Sequence, residues 1–176
     1  MAGPIVCVDD PNLVLDPVAQ DDAPVLRNLL ELYAHDFSEH VPFDLKPSGR
    51  FEVKLSDDWW ARDDHFPFFL RSDGKLVGFA LARRGSRVTG ASDVMDLAEF
   101  FVVRGARRKK LGGRVAHALF AAFPSAWHIR VRQTNLAAMK FWSRTLGEWA
   151  GCTVEPEPFT SAENIEWYVF RSEPRA

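Results

Sequence analysis

Residues 104–113 read RGARRKKLGG, with five cationic side chains in ten positions and a closing pair of glycines. The apolar run DLAEFFVV precedes them and the alanine-rich stretch RVAHALFAAF follows. A strand that ends in such a turn and then enters a helix is suited to holding an anion. The first helical turn exposes backbone N–H groups that lack an intrahelical acceptor, and the macrodipole adds positive potential at the same point. Arg107, Arg108, Lys109 and Lys110 surround that point with charge. Gly112 and Gly113 carry no Cβ and so let a phosphate approach the main chain. A phosphate-bearing ligand is the expectation.

Two familiar ways of binding it are absent. Nothing in the chain fits G-x-x-x-x-G-K-[ST], and no G-x-G-x-x-G follows an early strand. Neither interleaved aromatic residues nor a helix-turn-helix pattern accompanies the basic run, so no nucleic-acid partner is expected. The charge is segregated: −9 over residues 1–70, +11 over 71–144 and −4 over 145–176, for a net −2. The basic middle calls for an anionic ligand and the acidic ends for a cationic one.

The elements that must position the turn follow from periodicity. NLVLDPV (12–18) reads as a strand. AQDDAPVLRNLLELYAHDF reads as a helix capped by Asp21 or Asp22, with Leu26, Leu29, Leu30 and Tyr33 on its apolar face. After a long loop holding one short helix, FPFFLRS and KLVGFALARR flank Asp73-Gly74, a type I′ hairpin signal. Residues 94–103 form the next strand and Leu111 to Phe123 an amphipathic helix. AWHIRVRQ is a strand, and NLAAMKFWSRTLG is a helix from Asn135 to a terminating Gly147. EWAGCTVEP and NIEWYVFRS complete the chain as a strand pair joined by a loop containing EPEPFTSAE.

The order predicts a mixed α/β fold with one central sheet, not repeated βαβ units. A length of 176 residues with 47% hydrophobic content predicts one domain spanning 1–176. The absence of a membrane-length apolar run or a basic-apolar leader predicts a cytoplasmic protein with no membrane partner. Cys7 and Cys152 read as buried or free thiols. The five histidines lack ligand spacing, so no metal is expected.

The basic turn also resembles the acetyl-CoA signature of the GNAT superfamily of acyl-CoA-dependent N-acetyltransferases, R/Q-x-x-G-x-G/A. Residues Arg107 to Gly112, RRKKLG, match its first and last positions, with Lys110 where the family has its middle glycine. A helical conformation at that position would let the lysine point to solvent. One strand later NLAAMKFW matches N-x-x-A-x-x-F-Y at Asn135, Ala138 and Phe141, with Trp142 in place of tyrosine. The element order agrees over residues 12–171.

The resemblance implies a GNAT-like fold: a mostly antiparallel sheet with a parallel, V-shaped splay between its fourth and fifth strands, flanked by helices. It implies acetyl-CoA as co-substrate, with the pyrophosphate held by the backbone of residues 108–113, Leu111 included. The pantetheine arm would pair with Phe101, Val102 and Val103 as an added strand and touch Asn135. Glu99, a carboxylate among Leu97, Phe100 and Phe101, is the candidate base, with a raised pKa. The N–H of Val102 or Val103 is the candidate oxyanion donor. An indole is no acid near neutral pH, so Trp142 cannot protonate the leaving thiolate. That leaves Tyr33, Tyr168, a water, or departure as the thiolate.

The family shapes its acceptor site with the loop after the first helix and the loop between the last strands. Here those segments carry Asp36, Glu39, Asp44, Glu52, Asp57 and Asp58, then Glu155, Glu157 and Glu163, with Trp59, Trp60 and Phe159 among them. Asp36 or Glu39 is the candidate contact for a small cationic amine, an aminoglycoside-type antibiotic being one such acceptor, which would make the enzyme a resistance factor. Protein N-acetylation and a non-catalytic acyl-CoA sensor are the competing readings. A homodimer is left open.

Overall fold

The computed structural model describes residues 3, 5–7, 10–107, 109–162 and 164–172. Its strands are β1 (Ile5–Cys7), β2 (Asp10–Pro17), β3 (His65–Ser72), β4 (Lys75–Arg84), β5 (Met95–Val102), β6 (Trp127–Arg132), β7 (Glu157–Thr160) and β8 (Glu166–Ser172). They form a sheet in the order β1-β2-β3-β4-β5-β6-β8-β7, antiparallel everywhere except between β5 and β6. The helices are α1 (Ala23–Phe37), α2 (Asp58–Ala61), α3 (Leu111–Ala122) and α4 (Leu136–Ala150). This is the mixed sheet with one parallel step that the sequence predicts.

Helices cover both faces, which explains the continuous apolar run FPFFL in β3. Alternate side chains of a strand point to opposite faces. Phe68 and Leu70 join the core under α3 and α4, with Leu13, Leu15, Met95, Leu97, Leu119, Ile129 and Phe170. Phe69 joins the core under α1, with Leu26, Leu29, Leu30, Phe79, Leu81 and Phe101. Each such buried side chain contributes about 1.5–3 kcal/mol relative to exposure. The Asp73-Gly74 turn has positive φ at both residues (51° and 73°), as the hairpin signal requires.

The ends of elements depart from expectation. Asp22 occupies the N-cap of α1 but makes no side-chain capping bond. Helix α4 does not stop at Gly147. It continues to Ala150 and closes on Gly151, whose φ is 70°. The extra turn is held by Trp149, whose ring lies 5.6 Å from both His117 and Phe120. The strand expected at 148–156 therefore lies later, at β7, within residues assigned to the loop. β1 was not anticipated.

Candidate active site

Strand β5 positions the site because its two neighbours treat it differently. β4 pairs with it from Gly78↔Val102 to Arg84↔Met95. The register shifts between Leu81↔Glu99 and Ala82↔Leu97, leaving Ala98 as a bulge that re-aims the chain just before Glu99. β6 pairs in parallel only over Met95↔Trp127, Asp96↔His128 and Leu97↔Ile129. Beyond that point the strands diverge. The Val103 N–H donates to the Val77 carbonyl at 2.9 Å, so this candidate oxyanion donor is committed to the sheet. Successive residues present their amides to opposite sides of a strand, which turns Val102 toward the divergence. The Val102 carbonyl there accepts a hydrogen bond from Arg107 Nε at 2.7 Å.

A groove of about 730 Å³ follows the open edge of β5. It brings together Phe101 and Val102 with Arg107, Lys110, Leu111, Gly112 and Gly113 of the basic turn. Asn135, Ala138, Phe141 and Trp142 of the second motif line the same groove. Val103, Lys109 and the candidate base Glu99 do not line it, although Tyr33 beside Glu99 does, and Arg108 lies outside the described residues. The N-terminus of α3 opens into it with no side-chain cap, so the amides of Leu111, Gly112 and Gly113 lack an intrahelical acceptor.

Two details of this turn correct the sequence reading. Lys110 is not helical; its φ of 58° lies in the left-handed region, which favours glycine. Gly112 is small for a packing reason as well. A Cβ there would stand 3.2 Å from the Phe141 ring and 3.6 Å from Phe100. A Cβ on Gly113 would meet Thr145 at 3.6 Å, an ordinary contact, so Gly112 is the glycine that sets how closely α3 lies on α4. The Asn135 side-chain oxygen caps α4 by accepting from the Ala138 N–H at 3.0 Å, leaving only its amide NH₂ for another partner. Trp142 is buried and packs edge-on against Phe100 at 5.4 Å, a structural setting for the indole.

Glu99 is partly buried and lies within hydrogen-bonding reach of the Tyr33 hydroxyl on α1. Burial pushes its carboxyl above the ordinary range, against the opposing effects of the Tyr33 hydrogen bond and the Arg130 charge. The Tyr33 phenol is pushed well above its usual value by burial and by Glu99, so it stays protonated and donates. The sequence named Tyr33 only as one of several proton sources. Its pairing with a residue on a distant strand leaves no local signal.

Asp36 and Glu39 both line the groove and both face the basic turn. Asp36 accepts hydrogen bonds from Arg104 Nε at 2.9 Å and from Arg107 Nη2. Burial alone would raise its carboxyl, but the two guanidiniums hold it below the usual carboxylate range. Glu39 lies 3.5 Å from Arg104. Asp36 thus ties the basic turn to the end of α1, while Glu39, just beyond the helix, stays exposed at the groove. Trp59 and Trp60 are structural too: Trp60 donates to the Val18 carbonyl at 2.9 Å and Trp59 packs on His65. Glu163 lies outside the described residues.

A second cavity of about 620 Å³ lies at the outer end of β6, lined by Val41, Pro42, Arg132, Ile165 and Glu166 among others. Among the described residues no cluster of three His, Cys, Asp or Glu side chains could hold a metal ion, and no helix is long and apolar enough to cross a membrane.

Comparison with known proteins agrees with this geometry. The sequence profile of the acetyltransferase (GNAT) family matches residues 26–147. Among solved structures, an acetyltransferase from Thermus thermophilus superposes with a TM-score of 0.67 at 16% identity, covering 91% of this chain and 97% of its own. The ribosomal alpha-N-protein acetyltransferase RimL, in complex with coenzyme A, gives 0.68 at 11% identity, with 97% and 98% covered. The aminoglycoside acetyltransferase AAC(6')-Ib, also in complex with coenzyme A, gives 0.67 at 14%, with 92% and 94% covered. No curated protein sequence matches the chain. The chain belongs to the GNAT acetyltransferase family.

Proposed function

We propose that this acetyltransferase moves an acetyl group from acetyl-CoA to the primary amine of a small-molecule acceptor. One observation carries the reading: two motifs far apart in sequence line one groove between the open edge of β5 and the uncapped start of α3. The coenzyme A held by the structural neighbours RimL and AAC(6')-Ib supports the same donor.

The α3 amides at Leu111, Gly112 and Gly113 fit a diphosphate, and the open edge at Val102 fits a peptide-like arm. Glu99 takes the proton lost from the attacking ammonium, directly or through a water. Tyr33 positions that carboxylate by donating to it. The Val102 N–H faces the developing oxyanion as the tetrahedral centre forms. As the C–N bond forms, the C–S bond breaks and the sulfur leaves as thiolate, which takes up the second nitrogen proton through water and asks no acid of Trp142. Asp36 holds Arg107 and Arg104 at the mouth of the groove.

The test is a thiol-release assay with acetyl-CoA against aminosugars, polyamines, amino acids and peptides, with calorimetry of coenzyme A binding. The likeness to AAC(6')-Ib supports including aminoglycosides. Coenzyme A binding with thiol release for at least one amine is expected. Absence of coenzyme A binding overturns the reading.

A further inference from the structure

The bulge at Ala98 turns Glu99 to the α1 face of the sheet. Leu97, before the bulge, lies in the core under α3 and α4, whereas Phe101, two residues beyond Glu99, lies in the core under α1. Glu99 pairs with Leu81, which belongs to the same core under α1, so all three side chains share that face. The carboxylate is thereby set back from the groove, whose walls do not include it. A base in that position needs an intermediary to reach the amine.

Tyr33 stands between the two. On α1 its ring stacks on Phe37 at 5.2 Å and meets Phe79 and Phe101 edge-on at 5.9 and 6.0 Å. Phe79 and Phe101 lie on the α1 face, so these contacts seat the phenol beside Glu99, within hydrogen-bonding reach of it. Tyr33 also lines the groove, and its hydroxyl is the one hydroxyl among the described residues that do. The other groups there that could accept a proton are placed differently. Asp36 is held by Arg104 and Arg107, Glu39 is exposed beside Arg104, and His40 packs on Phe37 at 6.0 Å from the loop beyond α1. Around Glu99 itself, Arg130 of β6 and Arg87 of the loop after β4 add positive charge. Asp96 of β5 adds negative charge but is already paired with Arg83 at 2.7 Å.

We propose that Tyr33 is a catalytic residue whose hydroxyl carries the proton from the groove to Glu99: its oxygen accepts a proton from the acceptor ammonium as its own proton moves to the carboxylate. This rests on the acetyltransferase reading above and supplies the route of its proton. One O–H bond of Tyr33 forms as the other breaks, so the phenol ends neutral, the nitrogen gains the lone pair with which it attacks, and Glu99 holds the proton. A hydroxyl can donate and accept at once, which this step requires. Passage without a phenolate intermediate suits a phenol that burial and the Glu99 charge keep protonated.

The test is the pH profile of kcat/KM for Tyr33→Phe, with the amine of the panel above that gives the fastest thiol release. Phenylalanine keeps the ring that packs on Phe37, Phe79 and Phe101, so an unchanged Tm and retained coenzyme A affinity are expected. With the relay cut, plateau kcat/KM is expected to fall about 10²-fold and the acid limb of Glu99 to vanish. Tyr33→Phe combined with Glu99→Gln should fall no further than either alone, since both interrupt one path. If Tyr33 only positions the carboxylate, loss of its hydrogen bond raises the Glu99 pKa further, and the limb persists at higher pH with activity restored above it. That result, an unchanged profile, or a limb that stays in place and follows His40 on His40→Gln substitution overturns the proposal. If coenzyme A does not bind wild type, or no amine of the panel gives thiol release, the acetyltransferase reading has failed and the relay falls with it.

Discussion

The two edges of β5 make the instructive contrast. Toward β4 the strand is zipped for its whole length, apart from the one bulge at Ala98. Toward β6 it is paired over three residues and then left open. The zipped edge is apolar and close: a Cβ on Gly78 would collide with the Phe101 carbonyl, so β4 tolerates no side chain there. The open edge leaves amides without strand partners and brings the charges of Glu99 and Arg130 within reach of one another. Backbone saturation holds the shape, and its local failure supplies the binding surface. A sheet that remained paired to Val102 would have nowhere to seat an extended ligand.

The largest effect is expected where the two edges part. Asp96 sits at the last-but-one position of the parallel pairing and balances Arg83 and Arg130. Asp96→Asn leaves those guanidiniums buried without a counter-charge, and removal of one partner from a buried pair costs about 3–5 kcal/mol. Urea unfolding reads this directly. An unchanged midpoint would mean that the charge pairing does not secure the start of the opening.

Glu99→Gln tests the chemistry just beyond the bulge. Turnover is expected to fall about 10²-fold, with coenzyme A affinity retained. The pH profile supplies the sign. The carboxylate is the active form, so wild-type kcat/KM falls as pH drops through a pKa that burial has raised above the ordinary carboxylate value. In Glu99→Gln that acid limb should vanish. A limb that persists assigns the titration to another group.

Local signals were enough for most of the elements. The Asp73-Gly74 turn and the apolar runs of β3 and β4 depend on residues close in sequence, and they stand in the structure as read, whereas β1 and the position of β7 do not. What local signals do not carry depends on distant partners. Asp36 pairs with Arg104 and Arg107, far along the chain. Tyr33 and Glu99 meet only after folding. Gly147 looked like a stop because a glycine often ends a helix, but tertiary contacts of Trp149 outweighed that preference.

The smallest effect belongs to Lys110, where the open edge gives way to α3. A side chain at φ 58° crowds its own backbone, and glycine relieves this. Glycine also gains freedom in the unfolded chain, so the net stabilisation expected of Lys110→Gly is about 0.5–1 kcal/mol, or about 1–4 °C in Tm. Coenzyme A binding is pulled two ways. Loss of one exposed charge weakens it, more at low salt than at high salt, while the absent side chain lets a phosphate come closer to the α3 amides. The expected outcome is a Kd within about threefold of wild type at 0.15 M salt, since exposed charges contribute under about 1 kcal/mol each. A fall in Tm would show that the lysine stem supports the turn, and the strain at the open edge would then have to lie elsewhere than in this residue.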